Sequence, residues 1–266
     1  MNKLKEQISL GNISEARKML EEIIRDDPLS MEHRSTYIEV LCVQGDLERA
    51  DQQLDIMVRQ NPDCLIGAVN MRQLIRAETA RRDFFMGAMS ATLFHEADSS
   101  FETLLSLNMS IREDDIKEAN RQAQKLEQLR EPVTLEMDEK QVSEIRDLDD
   151  SLCGYLELLG TDGKFYLTKF SEIELLELQP VKSVVDLVWR RVDIAIANGP
   201  SGEAFLPISY VNSATDSSRM GKDTDWVEHG EFLVTGLGQK MLLINEEAVP
   251  LSQLRALHKA TLSEEA

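Results

Sequence analysis

Four short stretches of this sequence hold residues of the kind that do chemistry. Gly236-Leu237-Gly238 has the opening spacing of a dinucleotide-binding turn, in which glycines let the backbone approach a pyrophosphate. Such a turn needs a third glycine and a helix behind it. Here Lys240-Met241-Leu242-Leu243-Ile244 reads as a strand, so a hairpin turn is expected. His95-Glu96 starts like a zinc-peptidase motif but lacks the second histidine that would put two ligands on one helix face. Cys153 has no histidine close in sequence to activate it, and there is no Gly-x-Ser-x-Gly elbow. Thr224-Asp225-Trp226 closes a long polar stretch from Ser213 and has two readings. Asp225 is a general base in a ligand-binding or enzymatic β domain, or Thr224 and Asp225 hold backbone N–H groups while Trp226 fills the core. The second is adopted. No catalytic residue, metal or cofactor is expected, and the chain is read as a non-enzyme.

Charge narrows the partners. With 48 acidic against 29 basic residues the net charge is −19, which repels nucleic acid and anionic lipid alike. The cluster Arg72, Arg76, Arg81 and Arg82 is read as a solvated helix face. Cys42, Cys64 and Cys153 are odd in number and widely spaced, so they are expected as small buried hydrophobes rather than disulfides or zinc ligands. The start, Met1-Asn2-Lys3-Leu4-Lys5-Glu6, lacks an apolar signal segment, and no run of roughly 18 apolar residues occurs. A cytoplasmic protein that does not insert into membranes is expected.

The elements that would position any site begin with an internal repeat. A shift of 34 residues brings Gly11 onto Gly45, Ala16 onto Ala50, Leu20 onto Leu54 and Pro28 onto Pro62. A helix-turn-helix period of about 34 is the tetratricopeptide signature. Glycine ends the first helix of each pair, alanine permits close helix approach, and proline blocks continuation of the second helix. A third unit is decayed, with Thr79 at the glycine position and Phe84 at the alanine position. Further helices are expected over 84–94, from Ser99, and over 113–129.

Beyond Pro132 the texture changes. Residues 132–150 are acidic and read as a linker or a crossing strand, dividing a helical-repeat domain at 1–131 from a β-rich, barrel-like domain at 151–266. Three hairpins are expected: Tyr155–Leu159 with Lys164–Thr168 around an Asp-Gly turn, Val192–Ala197 with Ala204–Ile208, and Phe232–Val234 with Met241–Ile244. Short helices are expected at Val181–Val188 and Leu251–Lys259. Trp189 is read as a core anchor. The fold class is α+β, multidomain.

An ordered string of motifs follows the helical half: Asp186-Leu187 with Trp189-Arg190, Leu206-Pro207 with Tyr210, Gly221-Lys222 with Thr224-Asp225-Trp226, and Gly236-Leu237-Gly238-Gln239. In this order the chain resembles the ImpE family, also called SciE or TagJ, accessory components of bacterial type VI secretion. The family pattern has arginine where Lys222 stands. The resemblance implies an adaptor that binds the N-terminal helical region of the small contractile-sheath subunit. That adaptor would tune sheath assembly or its recycling by a ClpV-type unfoldase. It brings no catalytic residues, so Trp189, Arg190, Pro207, Tyr210, Gly221, Thr224, Asp225, Trp226, Gly236, Gly238 and Gln239 are read as determinants of the fold. An amphipathic helix bound in the groove of the repeats would meet the first helix of each pair. That nominates Glu39, Cys42 and Val43 from the second unit and Val69, Gln73, Arg76 and Ala77 from the third.

Overall fold

The computed structural model describes residues 2–260; Met1 and residues 261–266, the end of the expected β-rich domain, lie outside the described residues. Seven helices come first: α1 (Asn2–Leu10), α2 (Ile13–Asp26), α3 (Met31–Gln44), α4 (Leu47–Gln60), α5 (Leu65–Phe85), α6 (Ser99–Arg112) and α7 (Ile116–Gln128). The repeat sets their ends. Gly11 and Gly45 take left-handed backbones, φ +80° and +77°, just after α1 and α3. Ala16 and Ala50 are wholly buried where neighbouring helices meet. Where the third unit has Thr79 in place of glycine, nothing stops the helix. α5 therefore runs 21 residues to Phe85 and ends before left-handed Gly87. The separate helix expected over 84–94 is absent, and Thr92 instead bonds to the edge of the sheet beside Tyr166.

Thirteen strands follow: β1 (Leu135–Met137), β2 (Lys140–Val142), β3 (Ile145–Asp147), β4 (Tyr155–Gly160), β5 (Phe165–Lys169), β6 (Ile173–Leu178), β7 (Trp189–Ile196), β8 (Ser201–Pro207), β9 (Thr224–Glu228), β10 (Val234–Gly238), β11 (Met241–Ile244), β12 (Glu247–Pro250) and β13 (Ala256–Lys259), with a one-turn helix α8 (Asp216–Arg219) between β8 and β9. Eight form one antiparallel sheet in the order β2-β1-β13-β6-β7-β8-β4-β5. Among the described residues it does not close: β2 and β5 are its two edges, so the strand order is that of an open sheet rather than a barrel. A three-stranded sheet, β12-β11-β3, and the β9-β10 ribbon complete the half.

The first two expected hairpins form, with Leu159 opposite Phe165 and Val192 opposite Ala204. The third does not. β10 contains the Gly236-Leu237-Gly238 run itself and pairs with β9, while β11 pairs with β12 and β3. The expected helices shrink to single 3-10 turns at Val185–Leu187 and Leu251–Gln253, the latter followed by β13. The acidic stretch 132–150 carries β1 and β3, which pair with β13 and β11, and it buries Val133, Leu135, Val142 and Ile145.

Two apolar cores result. One lies within the β half around Leu156, Val192, Leu206 and Leu257. The other is continuous from Leu20 and Leu41 through Phe84 and Leu104 to Tyr155, Phe165 and Trp189, so helices and sheet share a core. Among the described residues no helix is long and apolar enough to cross a membrane.

Candidate functional site

The seam between helices and sheet is built on a buried charge network. Arg81 of α5, 3% exposed, donates through Nε and Nη2 to the two carboxylate oxygens of Glu157 on β4 at 2.7 and 3.2 Å. Nη2 also reaches the Ser209 carbonyl at 2.9 Å. Lys240, equally buried, bonds the same Glu157 and lies 3.9 Å from Asp147. Tyr210 donates its hydroxyl proton to Asp147 at 2.8 Å. Burial raises the cost of every charge here. Burial alone would raise the Glu157 pKa, but Arg81 and Lys240 overcome it and hold the carboxyl down to about 2. Burial, with Asp149 beside it, pushes Asp147 up to about 7 despite Lys240. Arg81 is thus not part of the solvated basic face expected for it. Its neighbours Arg72 and Arg82 do sit nearer the surface, in ion pairs with Asp51 and Asp55 and with Glu78.

Three further contacts cross the seam. Asn12, at the N-cap of α2, makes no side-chain cap, and the carboxylate of Asp216 from α8 accepts from Ser14 N at 2.7 Å in its place. Lys222 Nζ donates to Ser9 O at 3.0 Å and packs over Gly11, where an added Cβ would lie 2.6 Å from that nitrogen. This contact is a single point-charge bond to a carbonyl, for which lysine suffices. Asn120 of α7 holds the β9-β10 turn through His229 O and Phe232 N.

The same seam decides what the nominated groove residues can touch. Glu39 accepts from Val184 N at 2.7 Å and Val185 N at 3.1 Å, so its carboxylate is committed to the β half. Cys42 and Val43 are buried and, with Trp189 and Pro207, line a small internal space. Ala77 is wholly buried. Glu39, Cys42 and Val43 are covered by the chain's own C-terminal half, which the sequence reading did not anticipate. Gln73 is half-buried with its amide against the Gly163 turn, while Val69 and Arg76 are exposed.

The face that stays open begins about one turn earlier on α3. Met31, Glu32, Ser35 and Ile38 of α3, Leu54 and Met57 of α4, and Cys64, Gly67 and Met71 at the start of α5 enclose a groove of about 520 Å³. Leu65, Ile66 and Val69 stand exposed on the adjoining stretch of α5, Ile66 at 77%. Flexible methionines on an apolar groove with acidic groups at its rim suit it to the apolar face of another helix.

The motif residues have traceable structural duties. Trp189 is buried opposite Pro207 across β7 and β8, and Arg190 bonds the Asp186 carbonyl. Gly236 is required because any Cβ there would overlap the Tyr210 ring, and left-handed Gly238 leaves no room for a Cβ beside the Asp223 carbonyl. Gly221 is also left-handed, Thr224 donates to the Gln239 carbonyl at 3.0 Å, and Gln239 bonds Ser252. Two residues depart from expectation. Asp225 is exposed and, among the described residues, accepts only from Trp226 N, its immediate neighbour, and Trp226 is 37% exposed rather than a core filler, its ring 6.0 Å from that of Tyr210. Cys42 and Cys153 are buried free thiols, and burial drives the Cys153 pKa up to about 12; Cys64 is half-exposed. No cluster of three or more His, Cys, Asp or Glu fit to hold a metal occurs among the described residues.

The sequence model of the ImpE protein family matches residues 139–258, the span holding β2 to β12 and the motif string. The chain belongs to the ImpE family. Over 255 residues it is 24% identical to the type VI secretion system accessory component TagJ of Pseudomonas aeruginosa, covering 95% of this chain and 89% of that one. It is 34% identical to a Vibrio parahaemolyticus protein of known crystal structure, with a TM-score of 0.93, 97% of this chain and 98% of the other being covered. The ImpE resemblance thus extends through the helices, beyond the span that the family model matches.

Proposed function

We propose that this chain is a cytoplasmic accessory component of a type VI secretion system that acts by holding a helix of a partner protein, without catalysis. The observation that carries this reading is the open apolar groove between α3, α4 and α5, beside a face otherwise filled by the chain's own β half. The occupant is the N-terminal amphipathic helix of the small contractile-sheath subunit, and its capture tunes sheath assembly or recycling. The role of TagJ supports the setting. The 34-residue period, with Gly11 and Gly45 both left-handed at its corresponding positions, supports a tetratricopeptide-like helical domain over residues 1–131. Capture of an amphipathic helix by its apolar face is a recurrent use of apolar grooves between helices. The β half from 151 onward serves to brace that domain through Arg81, Glu39 and Asp216.

Burying a few Leu-sized side chains at about 1.5–3 kcal/mol each offsets the ordering of the peptide and leaves affinity in the micromolar range. The test is a fluorescence titration of the full chain with a labelled peptide spanning the sheath subunit's N-terminal helix. Saturable micromolar binding is expected, and absence of binding with the peptide held helical would overturn the proposal.

A further inference from the structure

A second cavity, of about 520 Å³, opens where the C-terminal ends of α5 and α6 meet the β half. Three arginines line it: Arg82 of α5, Arg112 of α6 and Arg219 of α8. This is an unusual concentration of one sign in a chain of net charge −19. Each arginine spends only part of its fork on the protein. Arg112 gives Nη1 to the Phe85 carbonyl at 3.4 Å, and Arg219 gives Nε to the Ser213 carbonyl at 3.2 Å. Arg82 gives Nε to Glu78 and Nη1 to the Gly45 carbonyl. Among the described residues, both Nη of Arg219, Nη2 of Arg82, and Nε and Nη2 of Arg112 have no hydrogen-bond partner. Neither Arg112 nor Arg219 has a carboxylate within salt-bridge distance there.

The carboxylates on the cavity wall do not supply one. Glu157 is saturated by Arg81 and Lys240, and Asp149 accepts from Ser151 Oγ, Ser151 N and Gly236 N. Backbone carbonyls take one nitrogen of each guanidinium and Glu78 takes Nε of Arg82, which leaves the remaining nitrogens without a protein partner among the described residues. Asn108 of α6 also lines the cavity, 6% exposed, and its amide nitrogen has no hydrogen-bond partner among the described residues. Burial, and after it the proximity of Arg82, lowers the Arg219 pKa, with the charge of Asp216 opposing them. Phe85, Ile111, Val227 and Leu237 give the rest of the wall an apolar character.

We propose that this cavity is a binding site for a small organic oxyanion, a phosphate or carboxylate head on a compact apolar body. Planar guanidinium forks match both oxyanions through paired N–H···O bonds, and the volume lies in the range of small-ligand sites, about 300–1,000 Å³. Because the walls come from α5, α6, α8 and the β9-β10 ribbon, occupancy would tie the two halves more tightly together. This site is separate from the helix-binding groove, and its proof or failure leaves that reading untouched.

The probes are sodium phosphate and sodium citrate, each compared with sodium chloride at matched pH and ionic strength in thermal unfolding of the full chain. At least one anion is expected to raise the unfolding temperature saturably at millimolar concentration. Arg219→Gln is expected to weaken that response about tenfold or more, the loss of a charge-assisted bond pair. Arg112→Gln, on an exposed side chain whose loss leaves the core intact, is expected to do the same and decides the matter if Arg219→Gln does not fold. Saturation by phosphate alone assigns a phosphorylated ligand, and by citrate alone a polycarboxylate. Neither anion exceeding chloride, or equal stabilisation of parent and variants by general salt exclusion, overturns the proposal.

Discussion

Glu157→Gln leaves two buried cations, Arg81 and Lys240, facing an amide in place of the carboxylate they share. All three side chains are 3% exposed or less, so water cannot replace what is lost. Removing one partner of a buried ion pair costs about 3–5 kcal/mol, because the remaining charge stays desolvated. Here two charges are orphaned, which places the loss at the upper end. At roughly 2–4 °C per kcal/mol for a protein of this size, the unfolding temperature should fall by about 10 °C or more. Arg81→Met is the informative companion. It fills a similar volume and leaves Glu157 with Lys240 still beside it, so its cost should be clearly smaller than that of Glu157→Gln. Thermal and urea unfolding of the parent and both variants measure the order. A loss below about 1 kcal/mol for Glu157→Gln, or a larger loss for Arg81→Met, would refute the idea that one carboxylate balances both cations.

Asp216→Ala removes the acceptor at the start of α2 and should cost about 1 kcal/mol, as loss of an N-cap does, read by urea unfolding. Asp225→Asn, although it sits in a family motif, should stay within about 0.5 kcal/mol of the parent, because its side chain is exposed and, among the described residues, bonds only its neighbour. Asp147, pushed by burial up to about 7, binds a proton in the folded state that the unfolded chain has already released above about pH 4. Its stabilising contribution is therefore full at low pH and lost as pH rises through about 7. Between pH 5 and 7 the parent should lose roughly 1 kcal/mol per pH unit more than Asp147→Asn, measured by urea unfolding across that range. Glu157 acts in the opposite sense, but only below its unfolded pKa near 4.5. Peptide association should slow as salt rises, since the net charge of −19 attracts basic residues on the incoming helix, and stopped-flow mixing at two salt concentrations reads this directly.

What was legible in the sequence follows from how local each cause is. Gly11, Gly45, Ala16 and Ala50 act on their own helix or its neighbour, so a period of 34 exposes them. The Gly160-Thr161-Asp162-Gly163 turn acts within one hairpin and was equally readable. Causes that act across the fold were not. Asp147 and Asp149 read as acidic linker because composition registers their charge and not the Lys240, Tyr210 and Ser151 groups that bury it. Arg81 looks like Arg82 in sequence, and only the helical phase that aims it at β4 separates them. Gly236-Leu237-Gly238 looks like a turn because glycine permits turns, yet here its missing side chains make room for Tyr210 and Asp223 inside a strand pair. The residues nominated on α3 lie about one turn beyond the open groove, since nothing local announces that the β half covers Glu39, Cys42 and Val43. Asp225 and Trp226 were over-read, their exposure being set by a ribbon whose pairing the sequence left ambiguous.

Gly67 offers the most direct test of the adaptor reading. It lies in the first turn of α5 on the wall of the open groove, and a Cβ added there meets nothing within 4 Å. Gly67→Arg should therefore stay within about 1 kcal/mol of the parent, the propensity gained over glycine being offset in part by a cation near the positive end of the helix. The long cationic side chain would meanwhile obstruct the groove and repel a basic partner helix. Titration of the labelled sheath-subunit peptide into parent and variant is expected to show micromolar binding by the parent and at least about tenfold weaker binding by a comparably stable Gly67→Arg. Equal affinity in the two proteins would contradict the account, because the helix would then be held somewhere other than the groove between α3, α4 and α5.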